Sequence, residues 1–461
     1  MWQPRAAAPS PPRVLDLALR IGTALLGGGA SCREVEAAMR AVTSAYRLNG
    51  SVPNVTFSMI SLSYQPSVDV APLAADRSVL DRGSHYTRVD DVERLTARIA
   101  DGLPPSAAAE QLAAVECGPG PYPQWVLSVA TALVSAFAAV MVGGGWWVLL
   151  GALAGGLVGE RAAAAVARTG AAPFYQLGAV AVAAAGIGVA ASTVTDRSQA
   201  GAMITGALFA QFPGRPLVLA INDGLAGYFL TAGARLLEAF FLLTAIVCGV
   251  TATLYIGRLA GTGPTVQDTI FGQAPTAGWA LVLTAGALTA AFAVIHEVPP
   301  RAIAAATATG LACFTTYHLL VVAHLAPVAA TAVAAILIGI FGGLGARVLG
   351  SSTLPLLVPA LAPLLPGRSL YLGLLALSEG RFASGGPQLA LAITLSLTLA
   401  VGTDVGLQIV GRPPLPPAIP SGRPNRSERA LRLRNWRETA VQLWIVRDCT
   451  GRPELGISVR S

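Results

Sequence analysis

Residues 213–236 read PGRPLVLAINDGLAGYFLTAGARL, and residues 366–389 read PGRSLYLGLLALSEGRFASGGPQL. Both stretches begin with Pro-Gly-Arg, and they are separated by 366 − 213 = 153 residues. Between residues 207–236 and residues 360–389, eleven of thirty positions are identical, whereas about three or four matches are expected by chance in a chain so rich in Ala, Leu and Gly. The chain therefore contains an internal repeat.

The composition is that of a polytopic membrane protein. Of the 461 residues, 54% are hydrophobic and 12% are charged, and the mean hydropathy is +0.61, whereas a soluble domain carries about 25% charged residues. Apolar runs of about 20 residues predict membrane spans. The ten predicted spans are 124–142, 146–167, 174–193, 201–219, 236–256, 278–295, 301–323, 327–348, 354–377 and 386–410.

The number of spans in each repeat sets its orientation. Because five is odd, the second copy enters the membrane from the opposite side, and we expect two inverted five-helix repeats related by a pseudo-two-fold axis in the membrane plane, an arrangement typical of transporters. All 31 basic residues are Arg. Their distribution favours cytoplasmic N and C termini by the positive-inside rule, mainly because the two ends are basic. We therefore expect a multi-pass protein of the cell (plasma) membrane.

The regions outside the spans define the remaining domains. The Pro- and Arg-rich tail predicts either a basic amphipathic helix on the anionic inner leaflet or a disordered tail that fixes the topology. We expect no nucleic-acid binding, because no recognised fold or aromatic platform accompanies the charges. The expected domains are a disordered N-terminus (1–13), a small cytoplasmic α/β domain (14–123), the first and second five-helix repeats (124–260 and 277–410) and the cytoplasmic tail (411–461).

The N-terminal domain mixes helical and strand patterns. Apolar residues at helical spacing predict a helix from Val14, and Ser31 with Glu34 forms a capping box at the start of a second helix. The stretch NVTFSMISLSY from Asn54 predicts one strand, and a second strand around SVLDR from Ser78 is left open. The stretch VDDVERLTARIADGL from Val89 predicts a charged amphipathic helix.

Two elements give the chain a resemblance to a known family. They are ALRIGTALLGGGASCREVEAAMRAVTSAYRLNG from Ala18 and PGRPLVLAINDGLAGYFLTAGARLLEA from Pro213. With them, residues 14–410 resemble the threonine/serine exporter family. The resemblance implies a cytoplasmic N-terminal domain fused to a ten-helix membrane region. It also implies proton-driven export of small hydroxylated amino acids, threonine or serine.

The Pro-Gly pairs predict broken helices. Proline cannot donate a backbone hydrogen bond and glycine tolerates unusual dihedral angles, so the pair frees polar backbone groups inside an apolar span. In lipid such groups are tolerated only where they are buried or line a cavity. Pro213, Gly214, Pro366 and Gly367 therefore mark a candidate substrate site, where a half-helix N-terminus would hold the carboxylate of an amino acid. The alternative is that each pair ends a span at the membrane interface.

Asp223 is the strongest single candidate for a functional residue, because a carboxylate at membrane depth is costly unless it is paired or functional. Asn222 precedes it, and Arg235 and Glu238 follow on the next amphipathic segment. Arg235 would clamp either the substrate carboxylate or Asp223. Desolvation favours the neutral acid, which suggests a proton-coupling role for Asp223. The alternative is an interfacial turn in which Asp223 caps the next helix and Arg235 reaches the headgroups.

The second repeat has Leu375 and Ala376 in place of the Asn-Asp pair. Its nearest acidic residue is Glu379, which is either a gate residue with Arg381 or a member of an ordinary interfacial ion pair. Two other acidic residues lie in predicted spans. Glu160 is expected to mark the end of the second span rather than a proton relay, and Asp404 is a secondary candidate for a proton site.

The predicted function is secondary-active export of a small amino acid, coupled to protons in the lipid bilayer. The alternative is a membrane channel or scaffold whose N-terminal domain is regulatory or hydrolytic. No nucleophile elbow, metal-ligand cluster or phosphate-binding loop occurs, so we expect no enzyme, no cofactor and no metal. Homo-oligomerisation is left open. The residue types available for hydrolysis are Ser58, Ser61, Ser63, Asp81 and His85.

Overall fold

The computed structural model describes residues 10–79, 83, 85–193, 197–261 and 278–411. These residues are mostly helical and form two compact units. The expected tail beyond Gly411, the first nine residues and the segment between residues 261 and 278 lie outside the described residues. Within the described part of the chain, the first unit holds residues 10–79, 83 and 91–119, and the second holds 85–90 and 120–411.

Helices of the first unit begin where the local sequence favours them. Helix α1 starts at Pro11, so residues 11–13, which were expected in a disordered N-terminus, belong to a helix; proline suits the first helical positions because it has no N–H to satisfy. The predicted capping box is confirmed, since the Glu34 N–H donates to Ser31 Oγ (3.4 Å) and the Ser31 N–H donates to the Glu34 carboxylate (2.8 Å). The helices are α1 Pro11–Gly28, α2 Cys32–Ala45, α3 Tyr86–Ala100, whose first five residues belong to the second unit, and α4 Pro105–Cys117.

The predicted single strand NVTFSMISLSY is wrong, because its residues belong to a hairpin. Strands β1 Ser51–Val55, β2 Met59–Tyr64 and β3 Leu73–Ser78 form an antiparallel sheet in the order β1-β2-β3. The chain reverses after Val55, where the Thr56 N–H and hydroxyl both donate to the carbonyl of Met59 (2.9 Å each). The third strand therefore lies mostly before SVLDR. Both strands of the hairpin have the same alternation of apolar side chains. The alternation alone therefore does not show where the chain turns back between them.

The second unit consists of the apolar helices. Eight of the described helices are long and apolar enough to cross a membrane, or ten if each of two bent pairs counts as one span. The protein is therefore a polytopic membrane protein. Its helices are α5 Gln124–Met141, α6 Trp146–Ala167, α7 Pro173–Ala191, α8 Arg197–Leu208, α9 Gly214–Leu225, α10 Phe229–Leu259, α11 Gly278–Ile295, α12 Pro300–Val322, α13 Pro327–Leu349, α14 Leu354–Leu361, α15 Gly367–Ser378 and α16 Phe382–Val410.

The two bent pairs lie at the Pro-Gly elements. The first pair runs from α8 through a short 3₁₀ turn to α9, and the axis bends by 49°. The second runs from α14 through an equivalent 3₁₀ turn to α15, and it bends by 53°. Pro213 and Pro366 are the residues that precede α9 and α15. Each Pro-Gly pair therefore starts a new half-helix within one apolar stretch.

The start of the second bent pair is held by Asp90, which is fully buried. Its carboxylate accepts hydrogen bonds from the Ser351 hydroxyl (2.6 Å) and the Ser352 N–H (2.7 Å), just before α14. Asp90 also pairs with Arg301 in the first turn of α12. One carboxylate therefore fixes the positions at which α12 and α14 begin.

Candidate functional site

The two helix breaks contact each other. A methyl group at Gly214 would lie 2.9 Å from Leu365 Cδ1, and one at Gly367 would lie 2.7 Å from Phe212 Cδ2. Under the 153-residue shift, Phe212 corresponds to Leu365 and Gly214 to Gly367, so these two contacts are equivalent by sequence. At both positions glycine therefore leaves room for a side chain from the opposite break.

Each half-helix that follows a break packs among helices of the other repeat. Tyr371 of α15 is fully buried in a cluster with residues of α7 and α10, such as Val180 and Ile246. Val218 of α9 is buried in a cluster with Leu399 of α16 and other residues of the second half. Residues 218 and 371 are also related by the 153-residue shift. The two repeats therefore exchange half-helices: α9 packs against helices of the second repeat, and α15 packs against helices of the first.

A buried ion pair lies at the far end of α9. Arg235 Nε is 2.9 Å from Asp223 Oδ2, and the two side chains are 7% and 0% exposed. Asp223 lies inside α9, and the residue that caps α10 is Tyr228, whose N–H donates to the Asp223 carbonyl (2.8 Å). The structure therefore places neither Asp223 at the cap of the next helix nor Arg235 at an exposed surface.

The turn between α9 and α10 brings this pair together. Gly227 has φ of +90°, a left-handed conformation that other residues rarely adopt, and it reverses the chain over a few residues. Two opposite charges buried side by side in an apolar region are costly to desolvate, and each stabilises the other. The pair therefore offers a fixed cation beside a fixed anion in a site with little water.

The remaining candidates of the first repeat surround this pair only in part. Asn222 and Glu238 are half-buried, and Glu238 lies three residues after Arg235, on the same face of α10. Pro213 lies ten residues before Asp223, which is about 15 Å along a helix. The predicted site therefore consists of two regions, one at the crossing of the breaks and one at the ion pair.

Glu379 lies in a third region. It follows α15, and its carboxylate is 2.9 Å from Arg381 and 4.0 Å from Arg258. The adjacent Gly380 has φ of +75°, and it corresponds by the repeat to the glycine of the α9–α10 turn. The side chain of Glu379 is 23% exposed. This geometry favours the ion-pair interpretation of Glu379.

Sequence reasoning misplaced one acidic residue. Glu160 lies inside α6, seven residues before its end, and its Oε1 accepts a hydrogen bond of 2.6 Å from the hydroxyl of Ser128 in α5. The sequence holds no local signal for this contact, because the two residues are 32 positions apart. Asp404, the other acidic candidate within a span, accepts a hydrogen bond of 2.5 Å from Gln408, one turn further along α16.

The described residues considered for hydrolysis lie in and around β2 and just before α3. Within the described ranges, no group of three or more His, Cys, Asp and Glu residues could hold a metal ion. His85 Nδ1 lies 2.9 Å from Glu297 Oε2. Ser61 and Ser63 belong to β2, and Asp81 lies outside the described residues.

Comparisons with known proteins match both halves of the chain. Residues 16–257 match a family profile described as "Putative threonine/serine exporter", and residues 281–407 match one described as "Threonine/Serine exporter". A threonine/serine exporter of Corynebacterium glutamicum is 28% identical over 410 residues, which cover 88% of this chain and 84% of that protein. A probable threonine/serine exporter of Mycobacterium tuberculosis is 28% identical over 403 residues, covering 86% and 76%. No solved structure matches the chain.

Proposed function

The chain belongs to the threonine/serine exporter family, and we propose that it exports small hydroxylated amino acids, threonine or serine, across the cell membrane. The named exporters among its relatives and its apolar helices support this function. Export is secondary-active and driven by the proton gradient. Both termini are cytoplasmic, and the N-terminal α/β domain regulates transport.

The observation that carries the proposal is the buried pair of Asp223 and Arg235. An amino acid at neutral pH is a zwitterion with a carboxylate and an ammonium group. Arg235 is the complement of the carboxylate, and Asp223 is the complement of the ammonium group. When the substrate enters, two ion pairs replace one, so the buried charges remain neutralised throughout. Asn222 and Glu238, beside the pair, hydrogen-bond the substrate and set its orientation.

This role differs from proton coupling at Asp223, which the sequence suggested. The guanidinium group of Arg235 stabilises the ionised carboxylate, and an ionised carboxylate is what an ammonium group requires. We therefore assign Asp223 and Arg235 to substrate binding.

Alternating access depends on the two helix breaks. The reciprocal contacts at Gly214 and Gly367 support an inverted repeat with a pseudo-two-fold axis through their crossing. The two breaks, with Pro213 and Pro366, act as the hinges at which α9 and α15 change their angle. The α9 hinge moves the substrate-binding pair, while Glu379 at the end of α15 stays paired with Arg258 and Arg381.

The test is threonine transport by the purified full-length chain in proteoliposomes. Trapped unlabelled threonine should accelerate entry of labelled threonine, because a carrier exchanges substrate, whereas a channel does not. Asp223→Asn and Arg235→Gln should each abolish this counterflow, and Glu110→Gln, at an exposed position in α4, serves as the control for loss of a carboxylate. Counterflow at an unchanged rate in both variants would reject the site, and its absence from the wild-type protein would reject a carrier.

A further inference from the structure

Glu160 has an unusual environment for a carboxylate in a membrane helix. Its Oε1 accepts the hydrogen bond from Ser128, which is itself buried. Its Oε2 is buried and has no hydrogen-bond partner within the described part of the chain. A buried polar oxygen without a hydrogen-bond partner costs free energy.

Ser128 departs from the behaviour of the other hydroxyls of α5. Thr131 donates to the carbonyl four residues earlier (3.0 Å), and Ser135 donates both to the carbonyl four residues earlier and to that of Ala207 in α8 (3.2 Å each). This local bond is the usual arrangement for a hydroxyl inside a membrane helix. Ser128 donates across to Glu160 instead. Its hydroxyl can turn back to its own helix, so the contact adapts to a neutral or an ionised carboxyl group.

The position of Glu160 along α6 matches that of the first helix break. Gly151 faces Met203 and Gly155 faces Ala207, so α6 and α8 advance together by four residues. One turn before Glu160, Gly156 faces Ser135, whose hydroxyl donates to the Ala207 carbonyl near the end of α8 (3.2 Å). About 10 Å of helix separates Glu160 from the end of α6. The carboxyl group therefore lies about one turn of α6 from the level of Ala207, which is close to the first helix break.

Few charges surround this carboxyl group. The three helices packed against α6 are α5, α7 and α8, and their sequences hold no acidic residue. Helix α5 has no titratable group and α7 has only Tyr175, while Arg197 is the first residue of α8. On α6 itself, Arg161 is exposed and Arg168 follows the helix. Within the described residues Glu160 has no ion-pair partner, in contrast to Asp223.

We propose that Glu160, with Ser128, is the proton-binding site of this exporter, an inference that rests on the proposed proton-driven export. A proton binds to Oε2 and forms an O–H bond, which neutralises the group next to the hinge. On its release the ionised carboxylate keeps the Ser128 hydrogen bond. The site belongs to the first repeat alone, because the corresponding residues of the second are Cys313 and Leu281.

The experiment separates exchange from proton-driven transport in proteoliposomes of the full-length protein. Threonine counterflow at equal pH needs no net proton movement, whereas accumulation under an imposed pH gradient does. Glu160→Gln should keep counterflow and lose accumulation, since glutamine retains the hydrogen bond but cannot exchange a proton. Glu160→Asp should recover part of the accumulation. Ser128→Ala should keep counterflow and weaken accumulation, because it removes the hydrogen bond to Oε1. Glu110→Gln, at an exposed position in α4, should behave as wild type in both assays.

Each other outcome has a defined meaning. Accumulation by Glu160→Gln at the wild-type level overturns the proton site and leaves the exporter intact. If Glu160→Gln loses both counterflow and accumulation although it elutes like the wild-type protein, Glu160 takes part in substrate translocation. This result also overturns the proposal. A wild-type protein that exchanges threonine but ignores the pH gradient rejects proton coupling and its site together. A wild-type protein without counterflow rejects the proposed function itself.

Discussion

Asp223 and Arg235 illustrate at the residue scale how a buried ion pair joins stability to function. Each charge is desolvated, and each is tolerated because the other lies 2.9 Å away. Removing one partner leaves an uncompensated charge, whereas removing both leaves an ordinary polar pair. Stability and transport should therefore respond differently to single and double substitutions.

We expect Asp223→Asn and Arg235→Gln each to lower the free energy of unfolding by about 3 kcal/mol, because a buried charge loses its partner. The double variant should regain most of this loss yet remain unable to exchange threonine. Thermal unfolding in detergent and counterflow in liposomes measure the two effects. A double variant as unstable as the sum of the single ones would show that the pair is not coupled.

The sequence identified Asp223 but misplaced Glu160, and the reason is physical. A carboxylate in a long apolar segment is rare, so Asp223 is conspicuous without any structure. The depth of Glu160 depends on how α6 lies against α8, which is set by close packing of Gly151 and Gly155. That packing joins residues about fifty positions apart, and no local pattern encodes it.

Tyr46 gives the N-terminal unit a dependence on alkaline pH. Its hydroxyl donates to the Leu103 carbonyl (2.9 Å), and burial raises its pKa to about 12 from an ordinary value of 10.0. The folded state therefore favours the neutral phenol. Its contribution to stability is fully present below about pH 10 and is lost as the pH rises through about 12.

We expect the wild-type protein to lose more thermal stability than Tyr46→Phe as the pH is raised above about 10, because phenylalanine has no proton to release. The measurement is the unfolding temperature of both proteins in detergent across that range. Parallel curves for the two proteins would show that Tyr46 does not control the alkaline transition.

At the scale of elements, sequence patterns predicted the apolar helices and the places where two of them break. The Pro-Gly pairs carry that information locally, since proline and glycine act on their own backbone. The exchange of α9 and α15 between the halves was not predictable in this way. Both half-helices are apolar on several sides, and only long-range packing decides which neighbours cover them.

The crossing of the breaks leads to a prediction about Gly367. Alanine there would place its Cβ 2.7 Å from a ring carbon of Phe212 and 3.1 Å from the Cβ of that residue, so the backbone must shift. We expect Gly367→Ala to destabilise the protein by about 1–3 kcal/mol and to slow counterflow. Gly214→Ala should cost less, because it meets the mobile end of Leu365.

Two controls accompany this prediction. Gly186→Ala adds a methyl group to α7 where no atom lies within 4 Å, so it should leave stability unchanged or slightly raised. Phe212→Leu combined with Gly367→Ala should recover part of the loss, because leucine yields more easily than a ring. An equal cost for Gly367→Ala and Gly186→Ala, measured by thermal unfolding, would refute the crowded crossing.

For the whole membrane unit, the exchanged half-helices make the two repeats depend on each other. Tyr371 completes a buried cluster of the first half, and Val218 completes one of the second. Each of these buried clusters therefore includes residues from both halves. Transport by independent rocking of two rigid halves does not fit this arrangement, whereas movement at the breaks does.

We expect fragments 1–268 and 269–461 to be unstable when each is expressed alone and to associate and exchange threonine when they are expressed together. Each fragment supplies the half-helix that the other lacks. Tyr371→Asp in the second fragment should prevent association, since it places a charge in the first half's buried cluster. Co-purification from detergent and counterflow measure the result, and a stable, folded first fragment on its own would contradict it.

The position of Val218 also determines how late in translation α9 can complete its packing. Its buried cluster includes Leu399, which the ribosome adds 399 − 218 = 181 residues later. At the usual rate of translation, α9 waits roughly 10 to 40 s before its final neighbours exist. During that interval Val218 in the newly inserted first half has no Leu399 to pack against. Membrane insertion must therefore protect an unfinished transporter until its last helix has been made.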